Sequence, residues 1–77
     1  MNKPRRKELQ KALDLLAQAR EIIEDMAEEE QDCFDNMPEG LQASELGEKI
    51  EENAARLVDI AEYIEEQESE LDDVING

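Results

Sequence analysis

The stretch Asn36-Met37-Pro38-Glu39-Gly40-Leu41-Gln42-Ala43-Ser44 decides how everything on either side of it is read. Pro38 has no amide hydrogen to continue a helical ladder, and Gly40 tolerates a left-handed backbone, so a helix arriving from the N-terminal side ends here. Ser44 is a good N-cap for a new helix, and Glu45 and Glu48 would lie at the positive end of its dipole. The two segments so divided are expected as helix 1 over about residues 4–35 and helix 2 over about 45–75, with the turn at about 36–44. Pro4 suits a first helical turn, and Gly77 suits the close of the second helix.

Upstream of the turn, apolar residues fall at Leu9, Leu13, Leu16, Ile23, Ala27, Phe34 and Met37, with Arg20 and Glu30 as polar interruptions. Steps of four and three make a heptad seam along one helical face. A second set, Ala12, Leu15, Ala19, Ile22, Met26 and Cys33, lies beside it and widens the apolar stripe to about half the circumference. One partner helix cannot cover so wide a stripe. Downstream, Leu46, Ile50, Ala54, Leu57, Ala61, Ile64, Leu71 and Ile75 repeat the pattern, interrupted by Glu68.

A short loop between long amphipathic helices predicts one all-α domain: an antiparallel two-helix hairpin, coiled-coil-like. Pairing the seams in that register brings Arg20 within a turn of Glu68, and the two are expected to pair. Lys7 and Lys11 come near Asp72 and Asp73, so basic head and acidic tail are expected to offset one another. Because Leu15, Ile22 and Met26 remain uncovered, dimerisation into a four-helix arrangement is expected.

Charge shapes the functional expectations. The net charge is −15, with 23 acidic residues against 8 basic ones, and five of the cations (Lys3, Arg5, Arg6, Lys7, Lys11) crowd the first eleven positions. Such a field opposes nucleic acid and anionic membrane and attracts proteins whose surfaces hold phosphates. No apolar run is long enough for a signal peptide or a membrane span. A single cysteine, Cys33, points to a reducing, cytoplasmic setting and reads as a small buried hydrophobe.

Catalysis is disfavoured: there is no histidine, one cysteine and no glycine-rich phosphate loop. Carboxylate pairs such as Glu21/Glu24 and Glu62/Glu65 are expected on exposed faces, where nothing raises their pKa. Neither the Glu-x-x-His pattern of di-metal bundles nor a calcium loop is present, so no metal or other cofactor is expected. What remains is the acid itself. Carboxylates three and four residues apart lie about 5–6 Å from one another, a spacing comparable in scale to that of phosphates along a nucleic-acid strand. Toward the turn, Glu28, Glu29, Asp32, Asp35, Glu48, Glu51 and Glu52 have few cations nearby and are the expected contacts for a basic, nucleic-acid-binding protein.

The segment Asp35–Glu52, DNMPEGLQASELGEKIEE, resembles a pattern in small acidic proteins of phages and prophages of Gram-positive bacteria. There the turn looks like N-[LM]-P-E-[GN]-L-Q-x-S-E-x-G-E-x-[MI]-E-E between two glutamate-rich helices, with arginine common where Leu46 stands here. The resemblance supplies context rather than a mechanism: many very small acidic phage proteins inhibit host nucleic-acid enzymes or defence systems, anti-CRISPR and anti-restriction proteins among them. With the acidic rows, this makes a non-enzymatic phage-type inhibitor with a DNA-mimic surface the leading expectation. The rival expectation is a structural or adaptor module that uses the apolar stripe Leu15, Ile22 and Met26 and treats the acid as solvation.

Overall fold

The computed structural model describes residues 1–77 and is all-helical, with 90% of the chain in helix and no strand. Helix α1 spans Lys3–Asp35, a single turn α2 spans Glu39–Gln42, and α3 spans Glu45–Asn76. The long helices pack along one another, and the molecule measures 58 × 14 × 13 Å. A 33-residue helix is about 50 Å long, so the body is a rod two helices thick. Its radius of gyration, 17.3 Å, exceeds the roughly 11–12 Å of a compact domain of this length.

Each boundary has a local cause. The Arg5 amide donates to Asn2 Oδ1 at 2.9 Å, and Pro4 lies in the first turn of α1, where its missing amide hydrogen costs nothing. Ser44 caps α3 by accepting from the Gly47 amide at 3.2 Å, and the Gly77 amide closes the far end on Asp73 O at 2.7 Å. The turn is further tied by Gln42 Nε2, which donates to Phe34 O at 2.9 Å.

The connection differs from expectation in one respect. Gly40 does not take a left-handed backbone; no glycine has positive φ. It lies inside α2, where Pro38 acts as the N-cap residue and the Leu41 and Gln42 amides return to Pro38 O. The glycine that the turn requires is Gly47. It is buried, and a Cβ there would collide with the backbone carbonyls of Leu41 and Gln42. The close approach of α2 to the first turn of α3 therefore depends on a missing side chain.

Packing follows the inner seam. Leu9, Leu13, Leu16, Arg20, Ile23, Glu30, Phe34 and Met37 are half-buried and Ala27 is buried; on α3, Ile50, Leu57, Ile64, Glu68 and Leu71 are half-buried and Ala54, Ala61 and Ile75 buried. Small residues dominate the fully covered positions, which lets the two backbones run close together. The core is thin: only Ala27, Gly47, Ala54, Ala61 and Ile75 are buried. The exposed area of 5770 Å² is well above the roughly 4800 Å² expected of a globular chain of this mass.

Candidate acidic groove and apolar stripe

Glu24, Glu28 and Asp32 recur every four residues along one side of α1. With Gln31 they form one rim of a groove of about 510 Å³, and Glu62 and Glu65 of α3 form the other. Its floor is Ala27, Ala54, Ala55, Val58 and Ala61. Alanines that permit close helix packing thus also leave a shallow apolar trough between two carboxylate rows.

Of the acidic residues singled out from the sequence, Glu28 and Asp32 line this groove. Asp35, which accepts from Gln31 Nε2 at 2.9 Å, lies seven residues beyond Glu28, and Glu51 lies seven before Val58. Both therefore extend the same helical faces toward the turn. Glu48 and Glu52 line a separate depression with Glu45, Leu46 and Lys49. Glu29 is about 200° around α1 from Ala27, away from the groove. Glu24, Glu62 and Glu65, which read from sequence as ordinary surface charges, belong to the groove instead. Only the pairing of the helices reveals that, because the two rims come from segments far apart in the chain.

One cation organises the middle of the rod. Arg20 Nε donates to Glu68 Oε2 at 2.5 Å and an Arg20 terminal nitrogen donates to Glu24 Oε1 at 2.6 Å. The Arg20 and Glu68 side chains are 23% and 14% exposed, so the expected pair is half-buried in the seam. Its hydrogen bond to Glu68, then the one to Glu24, raises the Arg20 pKa above its ordinary value. Such a group contributes stability below its unfolded pKa and loses it only as pH rises through the folded one. That window lies above any ordinary working pH, so Arg20 stays charged wherever the protein works.

The expected offset between basic head and acidic tail is not made by ion pairs. Lys11 Nζ pairs with Glu8 at 3.0 Å, and no cation of the head lies within 4.0 Å of Asp72 or Asp73. Glu8 lies one turn from Lys11 on the same helix and is the nearer partner. Cys33 is also corrected: it is exposed rather than buried. Six residues from Ala27, it falls about 120° off the inner seam, on the side of α1 that α3 does not cover.

That uncovered side carries the second apolar set. Leu15 is 64% exposed, Ile22 62% and Met26 44%. Met26 and Glu28 flank Ala27 in opposite senses around the helix, so the apolar stripe and the acidic groove lie on opposite sides of the inner seam. Across the stripe's side of the rod, Glu30, Asn53, Arg56, Leu57 and Ile60 line a further depression of about 360 Å³. No helix is long and apolar enough to cross a membrane. No group of three or more His, Cys, Asp or Glu side chains is placed to hold a metal ion. No known protein family, no curated protein and no solved structure matches the chain.

Proposed function

We propose that the chain is a non-enzymatic, phage-type binding protein that engages a basic nucleic-acid-handling protein of the bacterial cytoplasm through its acidic groove and inhibits it. The observation that carries this reading is the groove itself: Glu24, Glu28 and Asp32 on one helix and Glu62 and Glu65 on the other flank one trough along the rod. Two roughly parallel rows of negative charge with an apolar floor suit a surface rich in lysine or arginine. Their aliphatic stems would lie on the alanines while their heads meet the carboxylates. Release of the counterions that such a partner holds would add to affinity.

The working unit in this reading is an antiparallel hairpin. It is supported by the nine-residue connection, by the reach of Arg20 to Glu68, and by residues 24–32 sharing a groove with residues 54–65. Its assembly is a dimer through Leu15, Ile22 and Met26, whose exposure also favours the second reading, an adaptor that recruits a partner by that stripe.

Affinity purification from a bacterial host lysate at low and high salt tests the first reading. Partner capture should fall steeply with salt and be lost in Glu28→Lys/Asp32→Lys/Glu62→Lys. Unchanged capture by that variant defeats the acidic interface. Loss on Leu15→Ser/Ile22→Ser instead, with charge changes silent, establishes the adaptor.

A further inference from the structure

The outer stripe of α1 has the spacing of a seam in its own right. Positions 12, 15, 19, 22, 26, 29 and 33 step by three and four throughout, as the inner seam does, with Glu29 as the single polar interruption among Ala12, Leu15, Ala19, Ile22, Met26 and Cys33. Read backwards, that spacing maps onto itself: Ala12 meets Cys33, Leu15 meets Glu29, Ala19 meets Met26, and Ile22 meets its own equivalent. A stripe whose spacing matches its own reversal fits a two-fold, isologous contact, with Leu15 against Glu29 as its one mismatched pair.

Charge then selects a direction. The cations Lys3, Arg5, Arg6 and Lys7 make no ion pair within the chain, and Lys11 has only Glu8. Moreover, α1 carries its charges against its own dipole. Basic residues crowd its N-terminal turns, Glu28, Glu29, Glu30, Asp32 and Asp35 crowd its C-terminal turns, and neither end turn holds a charge of the favourable sign. A parallel contact would set head against head and Glu28-Glu29-Glu30 against itself. An antiparallel one sets opposite charges together at both ends.

We propose that a second copy of this chain docks its outer stripe antiparallel on this one, with paired positions summing to 44 or 45, so that the basic head of each copy lies over the acidic turn end of the other. Lys11 then comes within about one helical turn of Glu30 and Asp32 of the second copy, and Arg5 and Arg6 reach toward its Asp35 and Glu39. The inference rests on the reading that the stripe assembles the chain, and it adds the direction and register. It also leaves the acidic groove, on the other side of the inner seam, open in both copies.

Sedimentation of the full chain over a wide concentration range, with mild oxidation and peptide mapping of Ala12→Cys, tests it. The expected result is a dimer mass and a disulfide from the thiol introduced at position 12 of one copy to Cys33 of the other. Within one copy these positions lie about 31 Å apart along a straight helix and cannot bridge. Helical content by circular dichroism confirms that Ala12→Cys still folds. Should it not fold, charge exchange decides: Lys11→Glu weakens the dimer about tenfold, and adding Glu30→Lys/Asp32→Lys restores it. A monomer mass at every concentration overturns both the assembly and its direction. A dimer that yields only a Cys33–Cys33 link or no disulfide, or one that charge exchange does not restore, overturns the direction while leaving the assembly standing.

Discussion

Two seams run side by side along α1 with the same alternation of three and four residues, and they meet different fates. The inner one, from Leu9 through Ala27 to Phe34, is covered by α3. The outer one, through Leu15, Ile22 and Met26, faces solvent. Heptad spacing therefore marks an apolar helix face, but does not say whether that face is covered or by what. The difference between the two lies in their companions. The inner seam is faced by small residues, Ala54 and Ala61 at 2% and 4% exposure, that let a second backbone approach. The outer seam has no helix of this chain packed against it.

The comparison breaks most sharply when a carboxylate is placed in each seam. Ala54→Asp buries a charge with no partner, and unfolding free energy should fall by about 3 kcal/mol or more, enough to unfold a rod with so few buried residues. Ile22→Asp, at an exposed position, should leave the helical signal and the stability at low concentration within about 0.5 kcal/mol of the parent. Urea titrations followed by circular dichroism measure both. Equal losses in the two variants would mean that the outer seam is needed for the fold of a single chain, and the distinction between the seams would collapse.

The turn sets how α3 is presented to the inner seam, and its two glycines sharpen the point. Gly47→Ala drives a methyl into the carbonyls of Leu41 and Gln42, and should cost about 1–3 kcal/mol despite the better helix propensity of alanine. Gly40→Ala meets nothing within 4 Å in a helical turn without positive φ, and should stabilise by about 0.4–1 kcal/mol. Thermal melts of the two variants should therefore move in opposite directions. A neutral Gly47→Ala would show that the approach of α2 to α3 relaxes freely.

Much of this is legible in the sequence. Every inner-seam position from Leu9 to Met37, including the polar Arg20 and Glu30, is at least partly covered, because a repeat of three and four fixes a helical face whatever residue occupies it. Glu68 on α3 follows the same rule, whereas Leu46, which the spacing also counts into that seam, is 60% exposed in the first turn of α3. The caps at Ser44 and Gly77 are legible for a similar reason: capping is chemistry local to three or four residues. What escapes a sequence reading is whatever depends on distances between segments. Gly40 stands out as the glycine beside a proline, whereas the need for Gly47 exists only once α2 folds back on α3. Cys33 reads as buried because a free cysteine usually behaves as a small buried hydrophobe, whereas its position belongs to the outer set that α3 does not cover. Glu62 and Glu65 join the groove only when the register of the two helices is known. No acidic residue of the groove differs in local sequence from an ordinary solvated glutamate.

The smallest effect expected concerns the one polar pair inside the covered seam. Arg20 and Glu68 replace apolar residues at positions where leucine would pack, so their value lies in register more than in stability. Arg20→Leu leaves Glu68 half-buried without its donor, and Glu68→Leu leaves Arg20 with only the more exposed Glu24. Each single change should lower the denaturation midpoint slightly, while Arg20→Leu/Glu68→Leu, with no charge left to strand, should recover most of the loss or exceed the parent. The double variant should also lose discrimination between alternative slides of α3 along α1, because a seam left with Glu30 as its one polar position reads nearly alike one heptad on. Broader amide signals in its NMR spectrum, with midpoint preserved, are the expected signature. A double variant as destabilised as the sum of the singles would show that the pair contributes its own stability, and that the register is held elsewhere, at Gly47 and the turn.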